Sequence, residues 1–513
     1  MTTNSSAPAG FRGTFLSDAG TLALHGSASG ILARLPRAVA APADADDLSL
    51  LVTWAAEQRI PLVPRGAGTG MPGGNVGDGI ALDLLSGFQT VPGVNAERRR
   101  VTVQPGVTLD QLNEVCAPAG MSLPVDPSSS ARCTLGGMIA NNSAGAHSVK
   151  YGSTRAWVES LDLVLASGAQ VRVARGTRVD DPELKEIIAQ IDSSIQRDRA
   201  AILSSWPRVR KNSSGYALKE YLETGEPIDL IIGSEGTLAL ITSATLRLAP
   251  VPACRGVALL EFSELNATPE VIQRILPLQP ATCEMLDRSL LEILRLGGAD
   301  QDYPLSADLQ AILLVEMEGD SPADVRQALE SVESVARPGA DRITLAIDPV
   351  QQQRLWSLRH RASPLIAERA GRRFSMQFIE DCVVPIAALP EYIRLLREVL
   401  ERHDLPAVIF GHAGDGNLHV NPLVDISVPE WTHTLENVMT EVAEGVARIG
   451  GTLAGEHGDG RLRAPLLETI WGSEMIARFR LIKNAFDPRN ILNPGVILPL
   501  PGQRPLDALK SFT

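Results

Sequence analysis

Eight histidines occur in 513 residues, and two of them stand seven apart in one stretch, GHAGDGNLHV at 411–420. A second stretch, GEHGDG at 455–460, sets a glutamate and another histidine among glycines. Imidazoles and carboxylates are the side chains that hold divalent metals and move protons near neutral pH. If Asp415-Gly416 forms a two-residue turn between extended segments, the pairing runs outward to set His412 directly opposite His419. Their Cβ atoms would then lie ~5 Å apart on one face, which suits two imidazoles converging on one ion. Strand alternation places Asn421 on the same side as His419. Glu456 could complete a His₂Glu set with an open position, the arrangement of a catalytic rather than a structural zinc site. His457, next along an extended segment, points the other way and could act as a base with a neutral imidazole at physiological pH. The blander alternative is a solvated hairpin tip with two histidines paired by chance, and a glycine turn that Glu456 and His457 merely satisfy.

Such residues need elements to hold them. Residues 1–34 are rich in Ala, Gly and Ser and read as a loose N-terminal lead-in. From 35 to 250 short strands alternate with helices. PADADDLSLLVTWAAEQR reads as a helix with acids in its first turn and apolar residues at Leu48, Leu51, Val52 and Ala55. IPLVPRG, GIALDL and RRRVTVQPGV read as strands, and TLDQLNEVCAPAG as a helix closed by glycine. Proline-rich breaks at 248–256 and 276–283 place a domain boundary near 251. From there to about 475, helices such as SPADVRQALESVESVA alternate with strands such as AILLVEMEG and AVIFGHA. The tail, 476–513, holds a helix and an Asn-Pro-Gly break. The fold class is therefore α+β in two main domains, within the expected number for this length.

Lys plus Arg total 47 against 60 for Asp plus Glu, a net charge of −13 that argues against nucleic acid or an anionic membrane surface as a main partner. The five cysteines, Cys116, Cys133, Cys254, Cys283 and Cys382, form no CxxC, so no iron–sulfur cluster or zinc ribbon is expected within the chain. Scattered cysteines, no secretory signal and no run of ~20 apolar residues point to a cytoplasmic protein without an integral membrane segment.

PRGAGTGMPGGN at 64–75 carries five glycines in one loop after a strand. Successive backbone N–H groups there can form an anion-binding nest. It is not a Walker A loop, and Pro72, Gly73 and Gly74 exclude a GxGxxG helix start. Three further loops follow: DPSSSARCTLGGMIANNSAG…YG from 126, KNSSGYAL at 211–218 and IIGSEGTLALIT at 231–242. Four small-residue loops suggest a long phosphate-containing ligand lying across several strand ends.

In that order these motifs resemble the FAD-binding domain of the vanillyl-alcohol oxidase/p-cresol methylhydroxylase (PCMH) superfamily, over about 35–250. The resemblance implies that Arg65, Gly66, Ala67, Gly68, Thr69, Gly70, Gly73, Gly74 and Asn75 wrap the FAD pyrophosphate. Residues 134–145, with Thr134, Gly136, Gly137, Asn141, Ser143 and Gly145, would line the pyrophosphate and flavin ring. Pro127 and Gly152 join that set, and Glu235 and Gly236 would lie near the adenosine end or the ring-bearing loops. The first loop has no histidine to tether flavin, so FAD should be non-covalent, with His147 a polar flavin contact.

The histidine motifs, with LWSLRHRASP at 355–364 and FDPRNILNPG at 486–495, resemble the C-terminal half of FAD-linked 2-hydroxyacid dehydrogenases, above all D-2-hydroxyglutarate, D-lactate and glycolate enzymes. The resemblance implies that His412, His419 and Glu456 bind a divalent metal, usually zinc, and that His457 is the base. Asn421 would hold substrate or flavin, Arg359 would grip the substrate carboxylate, Ser363 would offer a hydroxyl nearby, and Asn493 would reach back to the flavin domain. The expected reaction is oxidation of a D-2-hydroxyacid to the 2-oxoacid by hydride transfer to flavin N5. An electron-transfer flavoprotein, a quinone or an iron–sulfur protein would take the electrons, and a homodimer is compatible. Two departures stand out. Ile379 precedes Asp381 where the shorter hydroxyglutarate dehydrogenases have lysine, a loss for which Arg372 or Arg373 would compensate. GEHGDGRLR is closer to the flavin half of long flavin/iron–sulfur fusions. The competing readings are a metal-independent flavin oxidase of an alcohol, amine or sugar, and the flavin subunit of a larger iron–sulfur dehydrogenase.

Overall fold

The computed structural model describes residues 7–298, 303–361, 365 and 373–512. Ser363 and Arg372 lie outside the described residues. Three sheets carry the architecture. The first has four strands in the order Thr14–Leu16, Ala38–Ala41, Ile80–Asp83, Leu62–Arg65, the last three parallel. Helix Ala45–Gln58 packs on it as expected: Asp44 caps the N-terminus by accepting from the Asp47 amide, and Leu48, Leu51, Val52 and Ala55 are buried. The second sheet is antiparallel, in the order Val94–Asn95, Arg100–Val103, Leu240–Arg247, Val158–Val164, Gln170–Ala174.

The expected loose lead-in folds. Thr14–Leu16 pairs antiparallel with Ala38–Ala41, and Ala19–His25 is a helix capped by Asp18. Gly13 and Gly30 there let the chain pass close against the carbonyls of Ala41 and Met71, where a Cβ would not fit.

The third sheet has seven strands, every described pair antiparallel, in the order Arg342–Ala346, Cys254–Phe262, Ala311–Gly319, Thr282–Asp287, Ala407–His412, Asn417–Val424, Phe374–Ser375. Helices Thr268–Ile275, Pro322–Ala336 and Leu389–Arg402 each bury an apolar stripe. The position 475 falls inside helix Leu467–Phe486, which turns at Gly472 with φ 72°. Beyond it the chain returns to the first sheet: the Leu62 amide donates to Ile491 and the Asn493 amide to Leu62. Asp487 fixes that return by accepting from the amides of Ile491 and Leu492 at 3.1 and 2.7 Å.

Candidate active site

A cavity of about 680 Å³ runs between the glycine loops and the third sheet, a size suited to a cofactor and a small substrate. One wall is made by residues 64–72, 126–129, 132–134 and 140–141 with their neighbours, together with Glu235 and Gly236. Among the described residues no amide from Gly66 to Gly70 donates to a protein acceptor, and the buried Asn75 Oδ1 has no partner. The free N–H groups of Gly66 to Gly70 fit the nest expected for the FAD pyrophosphate. Gly68 holds φ 78° with the Arg65 guanidinium packed where a Cβ would stand, so only glycine serves there.

Most of the expected cofactor residues line this wall, with three exceptions. Gly73, Gly152 and Asn493 do not face the cavity. Asn493 is a buried tie instead, its amide donating to the carbonyls of Gly74 and Glu235 at 2.8 Å each. Arg65 lines the wall, but its guanidinium is spent on the carbonyls of Ser27 and Asn75 at 2.9 and 3.2 Å, fixing the loop rather than facing a phosphate. The KNSSGY loop also departs from expectation, since none of its residues lines the cavity. It braces the 455–460 loop: Lys211 Nζ donates to Glu456 at 2.5 Å, Ser213 Oγ accepts from the Gly458 amide at 3.2 Å, and the Gly215 amide donates to Asp459 at 2.7 Å.

The opposite wall holds Glu284, Trp356, Arg359, His360, Gln377, Glu380, Phe410, His412, His419, Asn421, Glu456 and His457. The hairpin is not the two-residue turn expected. Ala413–Asp415 form a 3₁₀ turn, Gly416 takes φ 76°, and His412 pairs with Asn417 while Phe410 pairs with His419. Asp415 is drawn out of the turn by Ser148 Oγ at 2.5 Å and Arg210 at 3.7 Å. The pairing is offset by two residues, and an even offset keeps both histidines on one face.

Their outer nitrogens are occupied. His412 Nδ1 donates to Glu284, and His419 Nδ1 donates to the Glu380 carbonyl at 2.9 Å. That leaves both Nε2 atoms inward, 3.2 Å apart, each 3.4 Å from Glu456 Oε1. A tetrahedral ion with bonds of ~2.0–2.1 Å spaces its ligands by roughly 3.3–3.4 Å, so the three donors fit zinc, with outer partners that fix their tautomers.

The 455–457 turn is positioned by Asp381, a residue the sequence did not mark as functional. Its Oδ2 accepts from the amides of Gly455, Glu456 and His457 at 3.0, 3.0 and 2.8 Å. Four carboxylates, Glu284, Glu380, Asp381 and Glu456, face three fixed cations, Lys211, Arg359 and Arg463. The site therefore draws in positive charge. Burial opposes the His412 imidazolium, but Glu284 and Glu456 overrule it and raise the pKa to about 10. His457 is likewise raised to about 9, against burial, by Asp381 and Glu380. The neutral His457 expected at physiological pH therefore requires a cation nearby to push its proton off. His457 Nδ1 bonds Glu380 at 3.0 Å, and its ring stacks on His419 with centroids 5.7 Å apart.

Arg359 lies at the end of helix Pro349–His360, 4.3 Å above the Phe410 ring, with Nε on Glu284 at 3.2 Å. Ile379 points away from the cavity into an apolar pocket with Phe378, Cys382 and Met439. Gln377 and Glu380 are the positions of that segment that face the site, and Arg373 is exposed. His147, expected on the flavin, is held away from the cavity by Asp126 at 2.5 Å and Glu316 at 3.1 Å. With Glu318 it forms a second histidine–carboxylate cluster.

Residues 36–174 match the FAD binding domain family, and 251–497 match the family of FAD linked oxidases, C-terminal domain. The chain is 32% identical to the glycolate oxidase subunit GlcD of Bacillus subtilis, covering 93% of this chain and 92% of that one. It is 30% identical to the D-lactate dehydrogenase of Archaeoglobus fulgidus, over 90% of this chain and 91% of that one. Against the D-2-hydroxyglutarate dehydrogenase of Pseudomonas putida it is 31% identical over 95% of its length, but spans only 51% of that protein. The fold resembles 4-ethylphenol oxidase from Gulosibacter chungangensis with a TM-score of 0.68 at 15% identity, covering 94% of each chain. With family models over both domains and relatives of this identity along nearly the whole chain, the protein belongs to the FAD-linked oxidases of the PCMH type and is an oxidoreductase of their hydroxyacid dehydrogenase/oxidase branch.

Proposed function

We propose that this chain is an FAD- and zinc-dependent dehydrogenase that oxidises a D-2-hydroxyacid, of the D-2-hydroxyglutarate or D-lactate kind, to the 2-oxoacid. The observation that carries the reading is the convergence of His412, His419 and Glu456, 3.2–3.4 Å apart, in the cavity whose far wall is the glycine-loop nest. Bound FAD supplies the two-electron acceptor, and a bound divalent cation supplies Lewis-acid stabilisation of a developing alkoxide.

The side chains do the rest. Arg359 lines the cavity, where a guanidinium fork would suit a carboxylate. His457 offers Nε2 to the substrate hydroxyl proton, with Nδ1 held by Glu380. Asn421 lines the same wall as a hydrogen-bonding group for substrate or flavin. The substrates named for the relatives, glycolate, D-lactate and D-2-hydroxyglutarate, share the 2-hydroxyacid unit that this arrangement would read. Electrons would pass to an electron-transfer flavoprotein, a quinone or an iron–sulfur protein. The five free cysteines suit a reducing compartment such as the cytoplasm.

The test is anaerobic bleaching of the flavin by a panel of D- and L-2-hydroxyacids, with and without zinc. D-acids should bleach it and L-acids should not. Equal bleaching by metal-stripped protein rejects the metal role, and no bleaching by any acid rejects the substrate class. A second reading is favoured by one observation: the Bacillus relative is described as a subunit. On that reading the chain bleaches alone but turns over only with a partner.

A further inference from the structure

Strand Thr282–Asp287 is buried at every position, yet its third residue is a glutamate. A carboxylate cannot sit there unpaired. Met285 pairs with Gly411 and Leu286 with Phe410, so the register brings Glu284 beside His412. One carboxylate oxygen accepts from His412 Nδ1 and the other from Arg359 Nε at 3.2 Å. His412 and Arg359 are 53 positions apart in sequence, and the two oxygens of Glu284 join them.

We propose that Glu284 is a positioning residue that ties metal affinity to substrate-carboxylate affinity, one carboxylate setting both the His412 ring and the Arg359 guanidinium. This rests on reading His412 as a metal ligand and Arg359 as the carboxylate clamp. The first oxygen holds the His412 tautomer whose Nε2 lone pair faces the ion. The second holds the guanidinium so that its remaining N–H groups present a fixed fork. A cation on His412 makes its Nδ1–H a stronger donor, which anchors the carboxylate and hence Arg359. By linkage, an anion that fixes Arg359 improves the metal site by the same factor.

The test uses FAD-loaded protein. Zinc alone is titrated against a competing chelator, and kcat and KM for D-lactate are measured at saturating zinc. For Glu284→Gln the zinc Kd should rise about 10–100-fold. KM should rise about tenfold, with kcat within about threefold, because Glu284 acts through the His412 ring and the Arg359 guanidinium. A zinc Kd or a KM within twofold of wild type overturns the tie. If Glu284→Gln does not load FAD, Glu284→Asp, which keeps the buried charge but shortens its reach, decides: both constants must rise together, and movement of only one, or of neither, overturns it. Wild-type protein that binds no zinc overturns the metal reading beneath it, an outcome visible before any variant is made.

Discussion

Two clusters in this chain join histidine to carboxylates, and their surroundings set them to different work. Around His412, His419 and Glu456 each imidazole has its outer nitrogen occupied and its inner one free, while Glu456 Oε2 is held by Lys211, so the inner atoms converge. Around His147 both ring nitrogens end on carboxylates. Glu318 is capped by Lys150 at 2.8 Å and Tyr151 at 2.5 Å, and Arg255 stands 3.5–3.6 Å from Glu318 and Glu316. Three cations there balance Asp126, Glu316 and Glu318. The first cluster has the donor geometry of a socket for a cation, and the second is an ionic clasp closed by side chains of its own. Donor type and proximity are the same in both. What differs is the partner on each donor's far side, and that decides whether a lone pair is left over.

The largest way to break this comparison is to delete one carboxylate from each cluster. Glu456→Ala should lose bound zinc, and flavin reduction by a D-2-hydroxyacid should fall about 10²–10³-fold. Glu316→Ala should leave the zinc content unchanged; metal analysis and stopped-flow absorbance read both, and zinc loss from Glu316→Ala would erase the distinction. Next, Asp381→Asn weakens the grip on three amides of the 455–457 turn. Flavin reduction should fall about 10²-fold, and denaturant melts should show a loss of about 2–4 kcal/mol.

A smaller effect separates the clusters by pH. His412 must shed its proton before ligating a metal, and its pKa is raised to about 10. Zinc affinity should therefore climb by up to about tenfold per pH unit between pH ~7 and ~10; a flat profile from chelator competition would count against the socket. The smallest concerns the clasp. Burial works against the His147 imidazolium, yet Asp126 and Glu316 raise its pKa to about 10. Since the folded value exceeds the unfolded ~6.5, its stabilisation is full below pH ~6.5 and fades as pH rises through ~10. His147→Gln should cost about 1–3 kcal/mol near pH 6 and flatten that profile, with flavin reduction within about threefold of wild type.

Local patterns carried the parts of the fold that depend on neighbours in sequence. The Asp44-capped helix and the glycine loop at 64–75 were both readable because caps and nests are made within a few residues. The histidine pair was readable for a subtler reason. The turn was misjudged by its length, yet the even offset left His412 and His419 on the expected face. Lys211, Glu284 and Asp381 were not readable as site residues. Lys211 meets Glu456 across 245 positions and Asp381 meets His457 across 76, so no local period reports them. The one signal available was a charged residue inside a strand otherwise made to be buried, as at Glu284. His147 misled for the opposite reason: its loop lines the cavity, but its ring is pulled aside by Glu316 from the third sheet.

The 455–460 loop is gripped from both halves of the molecule. Asp381 takes three amides at its start, and Glu235, from the flavin side, takes the amides of Asp459 and Gly460 at 2.7 and 3.0 Å. Between these two anchors lie only a few peptide units, which cannot stretch. The loop is thus a ruler of fixed length between the nest and the His412–His419–Glu456 corner, and on the proposed function the span from flavin to cation would be set by backbone rather than by the substrate that bridges it.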